Sequence, residues 1–321
     1  MLVTPCMKSN HGWMELQQLR YVVEVAATSS FTRAAERCFV TQSALSHQIA
    51  ALERELGTRL FVRSSRSVRL SEAGEVFVEH ARTALRAAEQ AKEDAAAADG
   101  VVIGTLRVGV IPTLTAVDLP AVLVAYRAAH PAARVELQVG NSDVLMAELR
   151  EGLLDIAFLG LREGVEPVGV ASRALARHRL VVVLPRKHEL THGGAVGLED
   201  LTGLTFADFP AGTSGRAQSD EAFASAGLQR DVAFEADSAT LILGLVSAGL
   251  AVTLLAPGTV ARAGADVVTA EVRDGPVRVE YLAWDRTAPR TVARAFLAVV
   301  DGFRAADAET GPEETSGPAS A

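Results

Sequence analysis

FTRAAERCFVTQSALSHQIAALERELG, residues 31–57, is the stretch on which the reading of this chain turns. It divides into two short helices joined by a tight turn. Ser30 stands just before it and suits the N-cap of a helix over Thr32–Cys38, since its hydroxyl can accept from an orphaned first-turn N–H. Ala34 and Ala35 are small and let a second helix cross closely. Phe39 and Val40 are expected to form the core of the turn. Thr41 occupies the next N-cap, and Gln42–Leu56 continues as a longer helix. Its apolar stripe, Leu45, Ile49, Leu52 and Leu56, recurs at steps of 4, 3 and 4. Upstream, Leu16, Leu19, Val22, Val23 and Ala26 share one face of a preceding helix. Gln42, Ser43, Ser46 and His47 lie opposite the stripe, near the start of the second helix. In a helix-turn-helix, residues there meet base edges in the major groove. Gln can pair bidentately with adenine, Ser can bond several edges, and the first-turn amides suit a phosphate. A helical hairpin with a solvated polar face would show the same pattern, so both readings stand at this point.

The segment after Gly57 favours the first reading. Leu60-Phe61-Val62 and Val68-Arg69-Leu70 flank Arg63-Ser64-Ser65-Arg66-Ser67. Two short apolar runs joined by a basic turn make a β-wing, whose arginines reach the phosphate backbone or the minor groove. With the wing included, AAERCFVTQSALSHQIAALERELGTRLFVRSSRSVRLSEAG, from Ala34 to Gly74, resembles the LysR-type transcriptional regulators. The resemblance is carried by several features together. They are the paired alanines, Gln42-Ser43-Ala44-Leu45-Ser46, Leu52-Glu53, Gly57 with Leu60-Phe61-x-Arg63, and Leu70-Ser71-x-Ala73-Gly74. The likeness runs in order and spacing to about Arg304. His47 departs from it, where many members carry Arg or Lys, and its charge depends on pH.

The resemblance implies an all-α winged helix-turn-helix N-terminal domain, a long linker helix and a two-lobed α/β, periplasmic-binding-protein-like effector domain. It implies a regulator rather than an enzyme, with no catalytic residues, no metal and no cofactor beyond a small-molecule co-inducer. Thr41, Gln42, Ser43, Ser46, His47, Arg63 and Arg66 are the expected contacts to double-stranded promoter DNA. Linker helices would pair in a homodimer, or two dimers would join as a homotetramer, with RNA polymerase a further candidate partner.

The net charge of −8 argues at first against nucleic acid, but its distribution matters more. Residues 14–70 carry eight Arg against five Glu, 71–99 three basic against seven acidic residues, and 100–321 carry 19 against 27. The basic folded piece is therefore the one that bears the two helices and the wing. About half of the chain is hydrophobic, 49%, enough for real cores, yet no uncharged apolar run reaches the length of a membrane span. Residues 1–13 lack the apolar core of a secretory signal and read as a loose extension, with Met14 an equal candidate for the start. The two cysteines, Cys6 and Cys38, form no disulfide framework or metal spacing, which points to a reducing cytoplasm.

These patterns set the expected boundaries: 14–70 for the DNA-binding domain, 71–99 for the linker helix and 104–305 for the effector domain. Residues 1–13 and 306–321 are expected to be disordered, the latter being acidic and rich in Gly, Pro and Ser. In the linker, Ser71 caps the helix, Glu72 and Glu75 suit its dipole, and Phe77, Ala81, Ala84, Ala88, Ala91 and Ala95 form a heptad seam of small residues. After Gly100, apolar runs alternate with amphipathic helices, which predicts mainly parallel sheets. Lobe I would comprise 104–176 and 272–304, and lobe II 177–271. Ligands in such folds sit between lobes, at strand ends and helix N-termini. That places Thr113, Thr115, Asn141 and Ser142 on one side of a cleft and Phe209, Gly212, Thr213 and Asp237 on the other. A helix N-terminus there would favour an anion. Each residue also has a plain structural use, as a cap or a turn former.

Three motifs point elsewhere. His188-Glu189-Leu190-Thr191-His192 matches the zinc-hydrolase pattern H-E-x-x-H, which needs both His on one face of a stable helix. Here a strand, Pro185 and then Gly193-Gly194 leave no room for one. Gly212-Thr213-Ser214-Gly215 lacks the Lys of a phosphate loop. Ser214 and Asp237 lack the nucleophile elbow of a hydrolase. A small-molecule binding protein with nonspecific DNA affinity is the remaining alternative, and the wing and linker argue against it.

Overall fold

A computed structural model describes residues 14–63, 67–192 and 194–309, and the chain divides into two units between Lys92 and Glu93. The first unit holds α1 (Leu16–Thr28), α2 (Phe31–Arg37), α3 (Gln42–Leu56), the hairpin β1 (Phe61–Arg63) and β2 (Val68–Leu70), and most of α4 (Glu72–Ala98). Local chemistry sets these bounds. The Ser30 hydroxyl accepts from Arg33 N and the Thr41 hydroxyl from Ala44 N, both at 3.3 Å. Gly57 ends α3 at φ +66°, a left-handed conformation that costs glycine little. Leu45, Ile49 and Leu52 are fully buried against Val22, Val25, Ala34 and Ala35. Each contributes about 1.5–3 kcal/mol of apolar burial.

Three local expectations are corrected. In α1 the buried residues are Gln18, Leu19, Tyr21, Val22, Val25 and Thr28, while Leu16 is exposed and Val23 and Ala26 are half-buried. Leu56, the last member of the α3 stripe, lies 40% exposed at the end of the helix. Phe39 is no part of the turn core: it is 95% exposed. The cause is a Schellman ending of α2. Phe39 N donates to Glu36 O at 3.1 Å, Val40 N donates to Ala35 O at 3.0 Å, and Phe39 takes a left-handed φ of +54°. This geometry turns the side chain of Phe39 outward and that of Val40 inward.

The wing is tied to the helices on both sides. The Glu53 carboxylate accepts from Leu60 N at 2.8 Å and from Phe61 N at 3.2 Å. Ser71 N donates to Leu60 O at 2.9 Å, and the Ser71 hydroxyl donates to Arg59 O at 2.6 Å and accepts from Gly74 N at 3.0 Å. Along α4, Val78 and Ala81 are buried, Val78 in the core of this unit, and Phe77 is half-buried. Farther along, Ala84, Ala91 and Ala95 are exposed and Ala88 is half-buried.

The second unit is two α/β lobes. The first has β3 (Gly104–Val110), α5 (Leu119–Ala129), β4 (Ala133–Val139), α6 (Ser142–Arg150), β5 (Ile156–Arg162) and β6 (Ala171–Arg179). The second has β7 (Val181–Pro185), β8 (Thr205–Asp208), α7 (Ser214–Ser225), β9 (Asp231–Glu235), α8 (Ala239–Ser247), β10 (Thr253–Leu255), α9 (Pro257–Ala263) and β11 (Val267–Glu271). The chain returns to the first lobe as β12 (Val277–Trp284) and α10 (Thr291–Glu309).

The first lobe's sheet has the order β4-β3-β5-β12-β6. β3 runs parallel to β4 and β5, but β12 enters antiparallel to both β5 and β6. In the second lobe β7 lies antiparallel between β10 and β11, β8 and β9 pair in parallel, and parallel bridges join Phe206 to Val252 and Val196 to Val272. The sheets are therefore mixed, not mainly parallel. The returning strand fills a gap beside β5 from the opposite direction. β6 continues to Arg179, so the crossing between lobes lies at Arg179–Leu180, where Leu180 N donates to Pro276 O at 2.9 Å, and not at 176/177. Val272 packs in the second lobe's core, beyond the expected 271/272 division. α10 extends to Glu309, past the expected limit at 305.

Candidate functional site

Two sites stand out, one in each unit. In the first, the start of α3 presents Gln42, Ser43 and His47 to solvent, with Ser46 half-buried among them. Gln42 Nε2 donates to Ser46 Oγ at 2.9 Å, one turn along, and Thr41 Oγ1 lies 3.2 Å from Ser43 Oγ. These local bonds hold the polar ends in a row and can be exchanged for bonds to base edges without leaving a donor buried. A helix is about 10–12 Å across and the major groove about 12 Å wide, so the start of α3 can enter the groove with this polar row at the base edges. Arg63 lies in β1 with its guanidinium 4.1 Å from the centre of the Phe31 ring. Stacking fixes that charge beside the helix pair while leaving it exposed. Arg66 lies outside the described residues.

The second site is the cleft between the two α/β lobes, a cavity of about 290 Å³. From the first lobe it is lined by Thr113 after β3, Asn141 and Ser142 at the start of α6, and Arg278 on β12. Phe209, Thr213 and Asp237 line it from the second. Of the expected residues, Thr115 and Gly212 fall outside the lining. The Thr115 hydroxyl is turned onto Glu280 Oε1 at 2.8 Å, and Gly212 is consumed by the turn before α7 at φ +77°.

Several lining side chains already have structural partners. Asn141 Oδ1 caps α6 by accepting from Val144 N at 3.0 Å. Ser142 Oγ bridges the backbone of Gly160, accepting from its N at 2.9 Å and donating to its O at 3.1 Å. The Thr213 hydroxyl donates to Pro210 O at 2.7 Å. Thr113 is 2% exposed, and its carbonyl accepts from Thr259 at 3.5 Å. What Ser142 offers the cavity is thus its backbone N–H at the head of α6.

The lobes also touch around the cleft. Asp143 accepts from Ser214 N at 2.8 Å and Ser214 Oγ at 2.7 Å, which sets a carboxylate on the N-terminus of α7. Arg262 on α9 donates to the carbonyls of Leu114, Thr115 and Val117, and Arg162 pairs with Glu221.

The H-E-x-x-H match falls on a four-residue 3-10 turn, Glu189–His192, with His188 Nδ1 accepting from Leu190 N at 3.3 Å. A single 3-10 turn is not the stable α-helix on which the zinc-hydrolase pattern sets its two His. Among the described residues, no His, Cys, Asp and Glu cluster in a way that could hold a metal ion.

Family models match almost the whole folded chain. The bacterial regulatory helix-turn-helix protein, lysR family, matches residues 16–75, and the LysR substrate binding domain matches 99–304. The chain belongs to the LysR family. As a LysR-type regulator it is 33% identical over 289 residues to the HTH-type transcriptional regulator ShiR of Corynebacterium glutamicum, covering 88% of this chain and 97% of that one. It is 34% identical over 253 residues to the transcriptional dual regulator GltC of Bacillus subtilis, covering 77% and 82%. Among solved structures, a full-length cysteine variant of OxyR from Pseudomonas aeruginosa matches with a TM-score of 0.70 at 27% identity, covering 92% and 96%. Full-length CbnR complexed with its target DNA matches with a TM-score of 0.63 at 26% identity, covering 90% and 99%. No helix among the described residues is long and apolar enough to cross a membrane.

Arg278, Glu280 and Asp143 of this LysR-type regulator are not among the site residues expected from the sequence. Arg278 and Glu280 alternate along β12 on one face of the sheet, inside a run that reads as an ordinary strand, VRVEYLAW. Two opposite charges two positions apart in an otherwise apolar central strand are the signal that could have found them. Isolated buried ions are costly and need a reason.

Proposed function

We propose that this LysR-type regulator is an effector-gated reader of promoter DNA that acts in the cytoplasm, without catalysis, as a homodimer or homotetramer. The observation that carries the reading is the pairing, in one chain, of an exposed polar row on a capped recognition helix with an interlobe cavity of about 290 Å³. The volume is near the lower bound of small-molecule pockets. Pairing of two chains through the open alanine face of α4 would bring two reading heads to a two-fold operator. Effector in the cleft would bias the contacts across its rim, chiefly Asp143 with Ser214 and Arg262 with the 114–117 carbonyls. It regulates only to the extent that it binds two arrangements unequally.

Relatives 33% identical over 242 residues include the hydrogen peroxide-inducible genes activator of Dickeya chrysanthemi. A peroxide signal is not part of the proposal for this effector domain. Thiol-based sensing needs a reactive cysteine, and both cysteines, Cys6 and Cys38, precede residue 99.

The test is quantitative footprinting on the DNA upstream of the protein's own gene. Gln42→Ala is expected to lose about 1–3 kcal/mol of discrimination between operator and scrambled DNA, the worth of one bidentate base contact. Thr113→Ala should keep the ligand-free footprint and blunt its response to effector. Failure of the wild-type protein to prefer that DNA would overturn the proposal. A steep salt dependence with no preference would mark nonspecific phosphate binding.

A further inference from the structure

Arg278 is the unusual group of the second unit. It is 3% exposed, it lines the interlobe cavity, and its Nε is buried without a hydrogen-bond partner. Among the described residues, none gives its guanidinium a hydrogen bond or an ion pair. Glu280, 0% exposed and two positions along β12, does not neutralise it directly. That carboxylate is already satisfied by Thr115 N at 2.9 Å, the Thr115 hydroxyl at 2.8 Å and Ala116 N at 2.8 Å. Burial pushes the Arg278 pKa below the usual guanidinium range, with Glu280 opposing the shift. A buried cation without a partner is expensive unless something outside the chain completes it.

The fold makes room for this cation. The guanidinium lies over Gly160 of β5, where a Cβ would fall inside its NH2, Nε and carbon atoms. The same Gly160 is held from behind by Ser142 at the head of α6. The cation and the N-terminus of a nine-residue helix therefore border one cavity. Both favour an anion, and a guanidinium offers two parallel donors that match a carboxylate. The rest of the lining sets the remainder of the ligand. Ile111, Val139, Val144 and Phe209 call for an apolar body, which an inorganic anion lacks. Among the described lining residues Arg278 is the only basic one, and Asp237 on the other lobe is acidic. A second carboxylate would find no cation there.

We infer that the effector is a small organic monocarboxylate, seated with its carboxylate on the guanidinium of Arg278. This rests on the reading of the cleft as the effector site. The cavity has the volume of about ten waters, which limits the ligand to roughly that number of heavy atoms.

The test uses the full-length protein and a panel of linear, branched and aromatic monocarboxylates of that size. Their primary amides, the corresponding dicarboxylates and sodium sulfate form the other arms. A subset of the monocarboxylates is expected to raise the melting temperature and alter the DNA footprint, and the other arms are not. Arg278→Met should melt at or above the ligand-free wild type, since an unpaired buried charge is removed. It should bind the active acid about thirtyfold more weakly or worse. Gly160→Ala keeps the charge but displaces the guanidinium, and should lose the same acid. Equal binding of acid and amide, a response to sulfate alone, no response to any monocarboxylate, or unchanged affinity in both variants would overturn the inference. So would a lower melting temperature of ligand-free Arg278→Met, the sign of a structural arginine. A neutral metabolite that shifts the footprint and is lost in Thr113→Ala would overturn the carboxylate and keep the effector cleft. An acid that binds at Arg278 without moving the footprint would support the carboxylate and sink the cleft as the regulatory site.

Discussion

Arg290→Met is expected to destabilise the effector unit by about 3–5 kcal/mol, because it strips the cation from a buried cluster and leaves two carboxylates behind. Arg290, Glu93 and Asp155 are each less than a tenth exposed. Arg290 donates through Nε to Glu93 at 3.2 Å and through NH1 to both Asp155 oxygens at 3.1 and 3.3 Å, and it pairs with Glu93 again through NH2. Asp155 also accepts from Arg107 N at 2.8 Å, so the cluster joins the start of β5 to β3, the segment before α10 and the last turns of α4. The loss should depend on pH in a definite sense. Burial pushes the Asp155 carboxyl above its ordinary value of 3.8, and Arg290 is the strongest of the groups that pull it back. Without Arg290 the folded-state value rises further. Below the ordinary value both folded and unfolded chains hold the proton, and Asp155 adds no penalty. As pH climbs, the unfolded chain releases its proton first, so stability falls until the folded-state value is passed. The deficit against wild type should therefore be small at about pH 4 and larger at about pH 7.5. Urea unfolding followed by the fluorescence of Trp284 on β12 measures it. A deficit independent of pH would mean that Glu93 and Asp155 find other partners.

Legibility in the sequence tracks the range over which each interaction acts. Ser30, Thr41 and Gly57 are legible because a cap or a left-handed stop involves residues at most four apart, and the stripe of Leu45, Ile49 and Leu52 repeats within one helix. Phe39 is illegible for the converse reason. A Schellman ending decides the direction of a side chain through two backbone bonds, and an aromatic residue is a poor advertisement for a left-handed φ. In the effector unit β6 is hidden because ASRALARHR carries charges along its length. It is an edge strand paired only with β12, a hundred residues later. The same long-range insertion of β12 makes the sheet mixed and carries Arg278 to the cleft. Thr113, Asn141 and Asp237 can be placed at the cleft from strand ends and helix starts, since the topology puts such ends together. Arg278 cannot, because its role depends on Gly160 from another strand making space beside it.

The other large effect is expected from Gly74→Ala, a substitution that would normally favour a helix by about 1 kcal/mol. Gly74 lies in the first turn of α4, and a Cβ there would fall well inside contact with the Leu60 carbonyl oxygen, 3.0 Å from the Leu60 carbonyl carbon and 3.1 Å from Leu70 Cδ2. The obstacle is backbone, which cannot swing aside. That carbonyl is also the acceptor for Ser71 N at 2.9 Å, so the two segments are already held at closest approach. Moving α4 away would break this bond and disturb the Ser71 hydroxyl bridge between Arg59 O and Gly74 N. It would also pull Val78 from the core of the first unit. The net loss should reach about 3 kcal/mol, the upper end of overpacking costs. Since the bridge fixes the base of the wing, DNA affinity should fall with it. Hydrogen exchange on the full-length protein separates the units. Protection should drop across residues 16–80 and stay unchanged from β3 onward. Unaltered protection together with unaltered operator binding would show that the wing base can yield to a methyl group. The Leu70-Ser71-x-Ala73-Gly74 segment would then have no steric reason for its glycine.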